Sequence, residues 1–422
     1  MRENVLPLYA VGCGLAAAGG GLLGMAVPFC RSGQSSFFND NHLTILIYMA
    51  GIYIHVPFCK TRCIYCGFFS TTSSELMSRY VDAVLRELRD RRSYLCGQTV
   101  DTVYFGGGTP SQLPVDDVKR VIEEIYIIYN KDRQAPSEIT IEANPDDVTP
   151  EWLQAVRAAG VNRLSIGVQT FDDDRLRFIH RRHTARQAVD AVRMAKEEGF
   201  DNISIDLMFG FPGQTLSQWK DDLARALSLG VQHLSAYSLM YEEGTPLASM
   251  LDAGKVTEVD EEVSLAMFEA LVDASAPAGF RHYEISNFAL PGRESLHNSS
   301  YWHDVPYLGV GAGAHSYSGV QRCYNPCSLT DYLSGCKPVE EFLSESERYD
   351  EHVFTRLRTA EGISLQEMQQ MFGADAVHRL LSDAAKHIDR GMLVHEGDSL
   401  RLSRKGIFVS NDIMSDLMVA DG

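Results

Sequence analysis

"GIYIHVPFCKTRCIYCGFFS", Gly51 to Ser70, decides how the rest of the chain is read. A short β-rich run ends at Pro57, which disfavours continuing a regular element. Three thiols then follow within eight residues, Cys59, Cys63 and Cys66, in a C-x3-C-x2-C pattern. Thiolates so close in sequence can wrap one centre only from a loop, and they suit soft iron or zinc. Phe68 stands where a fourth thiol would complete the set. From the residues alone three readings are open. A [4Fe-4S] cubane on three thiolates keeps one iron without a protein ligand. A Cys3His zinc site would recruit His55, although structural zinc usually draws couplets from two separate places. Three plain buried thiols would hold no metal.

Outward from this stretch the chain alternates short β-rich runs with longer helical ones. Strands are expected at Ile52–Val56, Thr102–Phe105, Glu138–Glu142, Arg163–Val168, Ile203–Met208 and Leu234–Leu239. Helices are expected at Glu75–Tyr94, Val115–Tyr129, Glu151–Ala159, Thr184–Glu198 and Leu216–Leu229, several ending on a glycine cap, Gly160, Gly199 or Gly230. Six β/α units imply a parallel sheet with chemistry at the carboxyl ends of its strands, either an open doubly wound sheet or a full or partial barrel. The "DDD" at Asp172–Asp174 reads as an acidic helix start. After Glu243 the rhythm weakens: a helix over Glu261–Ser275, the strand-like "HYEISNFA", then a glycine-rich loop region from His297 to Gly319. Tyr349–Met418 reads as helical, with "GMLVHEGDSLRLSRKG" as a hairpin, together resembling a winged-helix module. The expected divisions are 49–245, 246–345 and 346–422.

With 422 residues, 45% of them hydrophobic, the chain can bury a large core, and its net charge of −18 excludes nucleic acid as the expected partner. Nine clustered cysteines favour a metal site in a reducing, cytoplasmic compartment over a disulfide framework. Leu6 to Cys30 runs without a charge, long enough for a signal or membrane anchor. Its glycine and alanine content and the uncharged balance of "MREN" favour translation from Met49 instead, with residues 1–48 as an over-extension.

Beyond the cysteines, "YFGGGTP" (Tyr104–Pro110) follows the second strand, and glycines there permit close backbone approach to a ligand. "EITIEANP" carries Glu142, "LSIGVQTF" Gln169, "IHRRH" Arg181 and "ISIDLMFGFPGQT" Asp206, each at or just past the end of an apolar strand. With C-x3-C-x2-C, these motifs resemble the radical S-adenosylmethionine (SAM) superfamily. The resemblance implies a partial (β/α)6 barrel with a C-terminal α+β extension, and a [4Fe-4S] cluster on Cys59, Cys63 and Cys66. In that family the open iron chelates the amino and carboxylate groups of SAM. It also implies that Tyr53, Tyr65, Gly107, Gly108, Thr109, Glu142, Gln169, Arg181 and Asp206 line the SAM site. Glu142 and Asp206 would meet ribose or adenine, and Tyr53 would lie against the cofactor.

Within the superfamily, "YIHVPFC", "GGGTPS", "EANP", "GVQTF" and "DLMFGFPGQT" resemble the branch of oxygen-independent coproporphyrinogen III dehydrogenases and the related haem-chaperone family, from Gly51 to the C-terminus. The dehydrogenases carry a fourth cysteine, C-x3-C-x2-C-x-C, which Phe68 lacks; the chaperones carry three and add H-N-x-x-Y-W. "HNSSYW", His297 to Trp302, matches. The resemblance therefore implies haem as bound cargo, with His297 as candidate iron ligand and Asn298, Tyr301 and Trp302 shaping the site. Coproporphyrinogen oxidation is the alternative. Implied partners are haem-accepting proteins and a reductant for the cluster; a peripheral membrane contact and a homodimer stay open. Cys323, Cys327 and Cys336 read as ordinary thiols, and His180 and His183 receive no role.

Overall fold

The computed structural model describes residues 50–131 and 134–419; the expectations for residues 1–48 and a start at Met49 lie outside them. Strands and helices alternate from the first described residue: β1 (Ala50–Val56), α1 (Met77–Asp90), β2 (Val100–Gly107), α2 (Val115–Ile125), β3 (Glu138–Ala143), α3 (Pro150–Ala158), β4 (Arg163–Gln169), α4 (Asp173–Phe178), α5 (Ala185–Glu197), β5 (Ile203–Phe209), α6 (Leu216–Ser228) and β6 (His233–Ser238). These strands pair in parallel and in sequence order, β1 to β6. Such an order, with right-handed crossovers, puts the helices on one face, whereas a doubly wound sheet must reverse direction. The helices form one layer, α1 on α2, α2 on α3 and α3 on α5. The sheet does not close, so the partial barrel is the expectation that holds.

Alternation along each strand sorts the residues. Ile52, Ile54, Val56, Val103, Phe105, Ile139, Ile141, Leu164, Ile166, Ile203, Ile205 and Leu234 join the helices in one apolar core. The intervening positions, Tyr53, Thr102, Tyr104, Glu138, Thr140, Glu142, Arg163, Ser165, Asp206, His233 and Ser235, line the concave side. Helix starts follow local chemistry: Thr184 with Gln187 and Thr215 with Gln218 form capping boxes, and Asp172 caps α4 through the amides of Asp174 and Arg175. Gly160, Gly199 and Gly230 take positive φ (106°, 83°, 63°), as their helix-ending role requires.

The chain continues through α7 (Pro246–Asp252), α8 (Glu261–Ser275), β7 (Arg281–Glu284), β8 (Asn287–Ala289), α9 (Leu296–Trp302), β9 (Tyr307–Val310), β10 (His315–Tyr317), β11 (Gln321–Tyr324), α10 (Leu329–Ser334) and β12 (Val339–Phe342). This corrects the glycine-rich loop expected over His297–Gly319. That segment holds most of a helix, α9, and a seventh parallel strand, β9, which pairs with β1 from Gly51↔Tyr307 to Ile54↔Val310. Glycine was misleading because Gly309 is there for close approach: a Cβ on it would sit 1.9 Å from the His315 carbonyl oxygen. Antiparallel strands extend both edges, giving the order β12-β11-β10-β9-β1-β2-β3-β4-β5-β6-β8-β7.

The last part comprises α11 (Glu345–Leu357), β13 (Ile363–Ser364), α12 (Leu365–Phe372), α13 (Ala374–Asp389), β14 (Leu393–Glu396), β15 (Ser399–Leu402), α14 (Arg404–Phe408) and α15 (Ser410–Leu417). It has its own core, built on Val353, Leu357, Met368, Leu380, Leu400 and Met414. The predicted hairpin is β14–β15, widened to three strands by β13. A buried ion pair, Arg358 to Glu284 at 2.9 Å, ties this module to the β7–β8 hairpin. Two backbone bonds flank it, Ile285 N–H to Arg358 O and Ala360 N–H to Tyr283 O.

Candidate functional site

The cysteine loop leaves the carboxyl end of β1 and is pinned at its base, Cys59 N–H donating to Thr71 O (2.9 Å) and Thr71 N–H to Pro57 O (2.6 Å). The glycine loop after β2 lies directly against it. Gly108 N–H donates to Val56 O (2.8 Å), and a Cβ on Gly108 would come within 2.7 Å of that oxygen and 3.1 Å of Cys59 Sγ. Thr109 Oγ1 donates to Cys59 Sγ at 3.4 Å, and Arg181 Nη1 to Cys63 Sγ at 3.6 Å. Below, Asp147 collects Lys60, Ser111, Gln112 and Arg182, locking the loops after four successive strands together.

By donor type, three soft thiols on one loop, backed by glycine and a guanidinium, suit a [4Fe-4S] cluster, while among the described residues no three His, Cys, Asp or Glu side chains converge as a ready-made site for a single metal ion. Burial raises the Cys59 thiol and pushes the Cys66 thiol up to about 11, and a bound cation favours the thiolate form of such groups. The zinc alternative loses its imidazole. His55 Nε2–H donates to Phe69 O (3.0 Å), and its Nδ1 accepts from Tyr53 OH (3.1 Å). Phe68 is 38% exposed at the rim and offers no donor.

Deeper in the concave side, Glu142 accepts from Tyr104 OH (2.8 Å) and Gly107 N–H (3.2 Å), and burial raises its carboxyl to about 7. Asp206, also raised by burial, accepts from Ser165 Oγ at 3.4 Å. Arg181 Nη2 donates to Gly167 O (2.6 Å), and Gln169 ends β4 in the left-handed region at φ 68°, a conformation that costs a non-glycine residue energy. Tyr65 packs with the apolar group of Ile64, Ile179 and Met208 under the loop. The expected SAM residues stand along β1 to β5 and in the loops that follow, with Tyr53 inside β1 and Tyr65 packed under the cysteine loop.

The "HNSSYW" residues do not share one direction. His297 is buried, Nδ1 with Thr102 Oγ1 and Nε2 with Tyr301 OH, both at 2.8 Å. Burial, reinforced by the Arg163 charge, drives its pKa down to about 3, so the imidazole is neutral. Helix α9 starts on Ser295, whose hydroxyl accepts from Asn298 N–H, and on Glu138, which accepts from the amides of Leu296 (3.0 Å) and His297 (3.1 Å). Trp302 is buried on another side, under the Arg358 guanidinium at 4.9 Å. Reading one polar residue per strand overlooked Thr102, Tyr104, Glu138 and Arg163; the signal was the period-two polar positions inside otherwise apolar parallel strands.

A parallel partial barrel with three thiols beyond its first strand is the arrangement of radical SAM proteins, and the family model described as the Radical SAM superfamily matches residues 53–226. The model described as the HemN C-terminal domain matches residues 343–409. In overall structure the chain resembles the HemN coproporphyrinogen III oxidase of Escherichia coli, with a TM-score of 0.75 at 22% identity over 88% of this chain and 90% of that one. That likeness speaks for the fold alone. In sequence it is 35% identical to "Heme chaperone HemW" of Bacillus subtilis over 86% of this chain and 98% of that protein. It is 34% identical to the bovine "Radical S-adenosyl methionine domain-containing protein 1, mitochondrial" over 87% of each. The chain belongs to the HemW family.

Proposed function

We propose that this protein binds haem and hands it to haem-dependent proteins, using a [4Fe-4S] cluster on Cys59, Cys63 and Cys66 together with SAM. The observation that carries this reading is the pairing of a three-thiol loop lacking a fourth cysteine at Phe68 with the "HNSSYW" helix packed on the same barrel. A cluster held by Cys59, Cys63 and Cys66 would supply an iron free of protein ligands, to which SAM could bind and from which it could be reduced. Gly107, Gly108 and Thr109 give the cofactor a close backbone approach, Glu142 and Asp206 accept its hydroxyl or amino donors, and Arg181 and Gln169 orient the remainder, with Tyr53 and Tyr65 as apolar walls. His297 offers iron a neutral imidazole once Tyr301 OH releases Nε2, and Asn298, Tyr301 and Trp302 shape the surroundings.

On this reading residues 49–245 hold cluster and SAM, 246–345 hold the haem helix, and 346–422 form a docking module. The acceptors are haem proteins, a cellular reductant serves the cluster, and the compartment is the cytoplasm. Contact with a membrane surface and a homodimer are compatible arrangements; no helix among the described residues is long and apolar enough to cross a membrane. The test is an anaerobic haem titration of the cluster-loaded full chain, following the Soret band. Saturable binding that weakens about tenfold in His297→Ala is expected, a loss of about 1.4 kcal/mol. Turnover of coproporphyrinogen without specific haem binding would replace this reading with the dehydrogenase.

A further inference from the structure

The SAM motifs and the haem motif, far apart in sequence, meet in one stack of rings. Tyr104 hydrogen-bonds Glu142 through its hydroxyl at 2.8 Å. Its ring lies nearly parallel to the His297 imidazole, with centroids 5.2 Å apart and 25° between the planes. Tyr53 stacks on both, 6.2 Å from Tyr104 and 6.4 Å from His297. At the far end His297 Nε2 is held by Tyr301 OH, whose ring meets the imidazole edge-on at 5.2 Å. A continuous line of contacts therefore runs from the carboxylate expected to meet SAM to the imidazole expected to meet iron.

We propose that Tyr104 is a positioning residue coupling the two sites, such that SAM bound at Glu142 holds His297 in its closed stack and weakens haem binding. The inference rests on the haem-carrier reading above. His297 cannot present a free nitrogen while Thr102 and Tyr301 hold both, and the Tyr104 and Tyr53 faces flank any tilt of its ring. Tyr104 is in turn tethered by Glu142. A carboxylate has about four acceptor positions, and Tyr104 OH and Gly107 N–H use two, so further donors from a ribose fit without displacing the tyrosine. Such donors favour the ionised carboxylate, and an ionised acceptor makes the shorter, stronger bond to the phenol. SAM thereby tightens the tether. By linkage, haem weakens SAM binding by the same factor.

The test uses the cluster-loaded full chain under anaerobic conditions, titrated with haem by Soret absorbance with and without saturating SAM. The wild-type Kd for haem is expected to rise at least about fivefold with SAM, the low end of usual couplings. In Tyr104→Phe, which keeps the ring and drops the hydroxyl, the shift is expected to shrink below about twofold. Equilibrium dialysis of SAM with and without haem should return the same wild-type factor. If Tyr104→Phe fails to retain its cluster, Tyr301→Phe, which frees Nε2 from the opposite end, is expected to tighten haem binding and reduce the SAM effect. A wild-type Kd unmoved or lowered by SAM overturns the proposal, as does a full shift persisting in Tyr104→Phe. Absence of any saturable haem binding is a different result and removes the haem-carrier reading itself.

Discussion

Glu142 is held in a proton-hungry state. Its carboxyl is raised to about 7 by burial, against an ordinary glutamate value of about 4.3. Between those values the folded chain binds more protons at this position than the unfolded chain, so ionisation of Glu142 costs stability as pH rises through the window. Glu142→Gln removes the cost, since the amide does not titrate. Relative to wild type, the variant should therefore gain about 2 kcal/mol on going from pH 5 to pH 8. Urea unfolding of both proteins at the two pH values measures it, and an equal difference at both would show that Glu142 titrates normally. If SAM binds at Glu142 as proposed, its donors would pull the same pKa back down, and the cost would belong to the SAM-free protein.

At the scale of elements, the seam between the β7–β8 hairpin and α11 rests on Arg358 and Glu284, both buried. Glu284 also accepts from Asn287 Nδ2 and Ser286 N–H. Removing only the arginine strands the carboxylate, and losses of about 3–5 kcal/mol are usual for such a change. Arg358→Met should lower the urea midpoint accordingly, while Arg358→Met combined with Glu284→Gln should recover part of the loss. The same region marks the limit of what the sequence disclosed. The six β/α units were legible because their strands and helices carry periodic apolar residues. Helix α9 was not, because seven residues are too few for a periodic signal, and its start depends on Glu138, a residue of β3. Strand β9 was obscured by Gly309, whose purpose is visible only beside His315. The cysteine loop and the polar residues at the strand ends were legible as motifs; the burial of His297 was not, since Thr102 and Tyr104 pack on it from across the barrel.

For the whole molecule, charge sets the terms of encounter. A net charge of −18 repels an anionic porphyrin in water, and screening lengths shrink from about 30 Å at 0.01 M salt to about 10 Å at 0.1 M. Haem association, followed by stopped flow, should therefore quicken as ionic strength rises over that range. A rate that falls instead would reveal a local basic entrance that overrides the global field.

Strand β1, which leads into the cysteine loop, is flanked by β2 on one side and β9 on the other. The first partner is near in sequence, but Gly51 meets Tyr307 only after some 256 more residues have been made. At about 5–20 residues per second of synthesis, that is a delay of roughly 13–50 s. During it the loop is tethered to a strand with an open flank on the growing chain. Products that stop before β9 would leave one flank of β1 without its strand partner, and a lower iron content per chain than in the complete protein is the expected outcome.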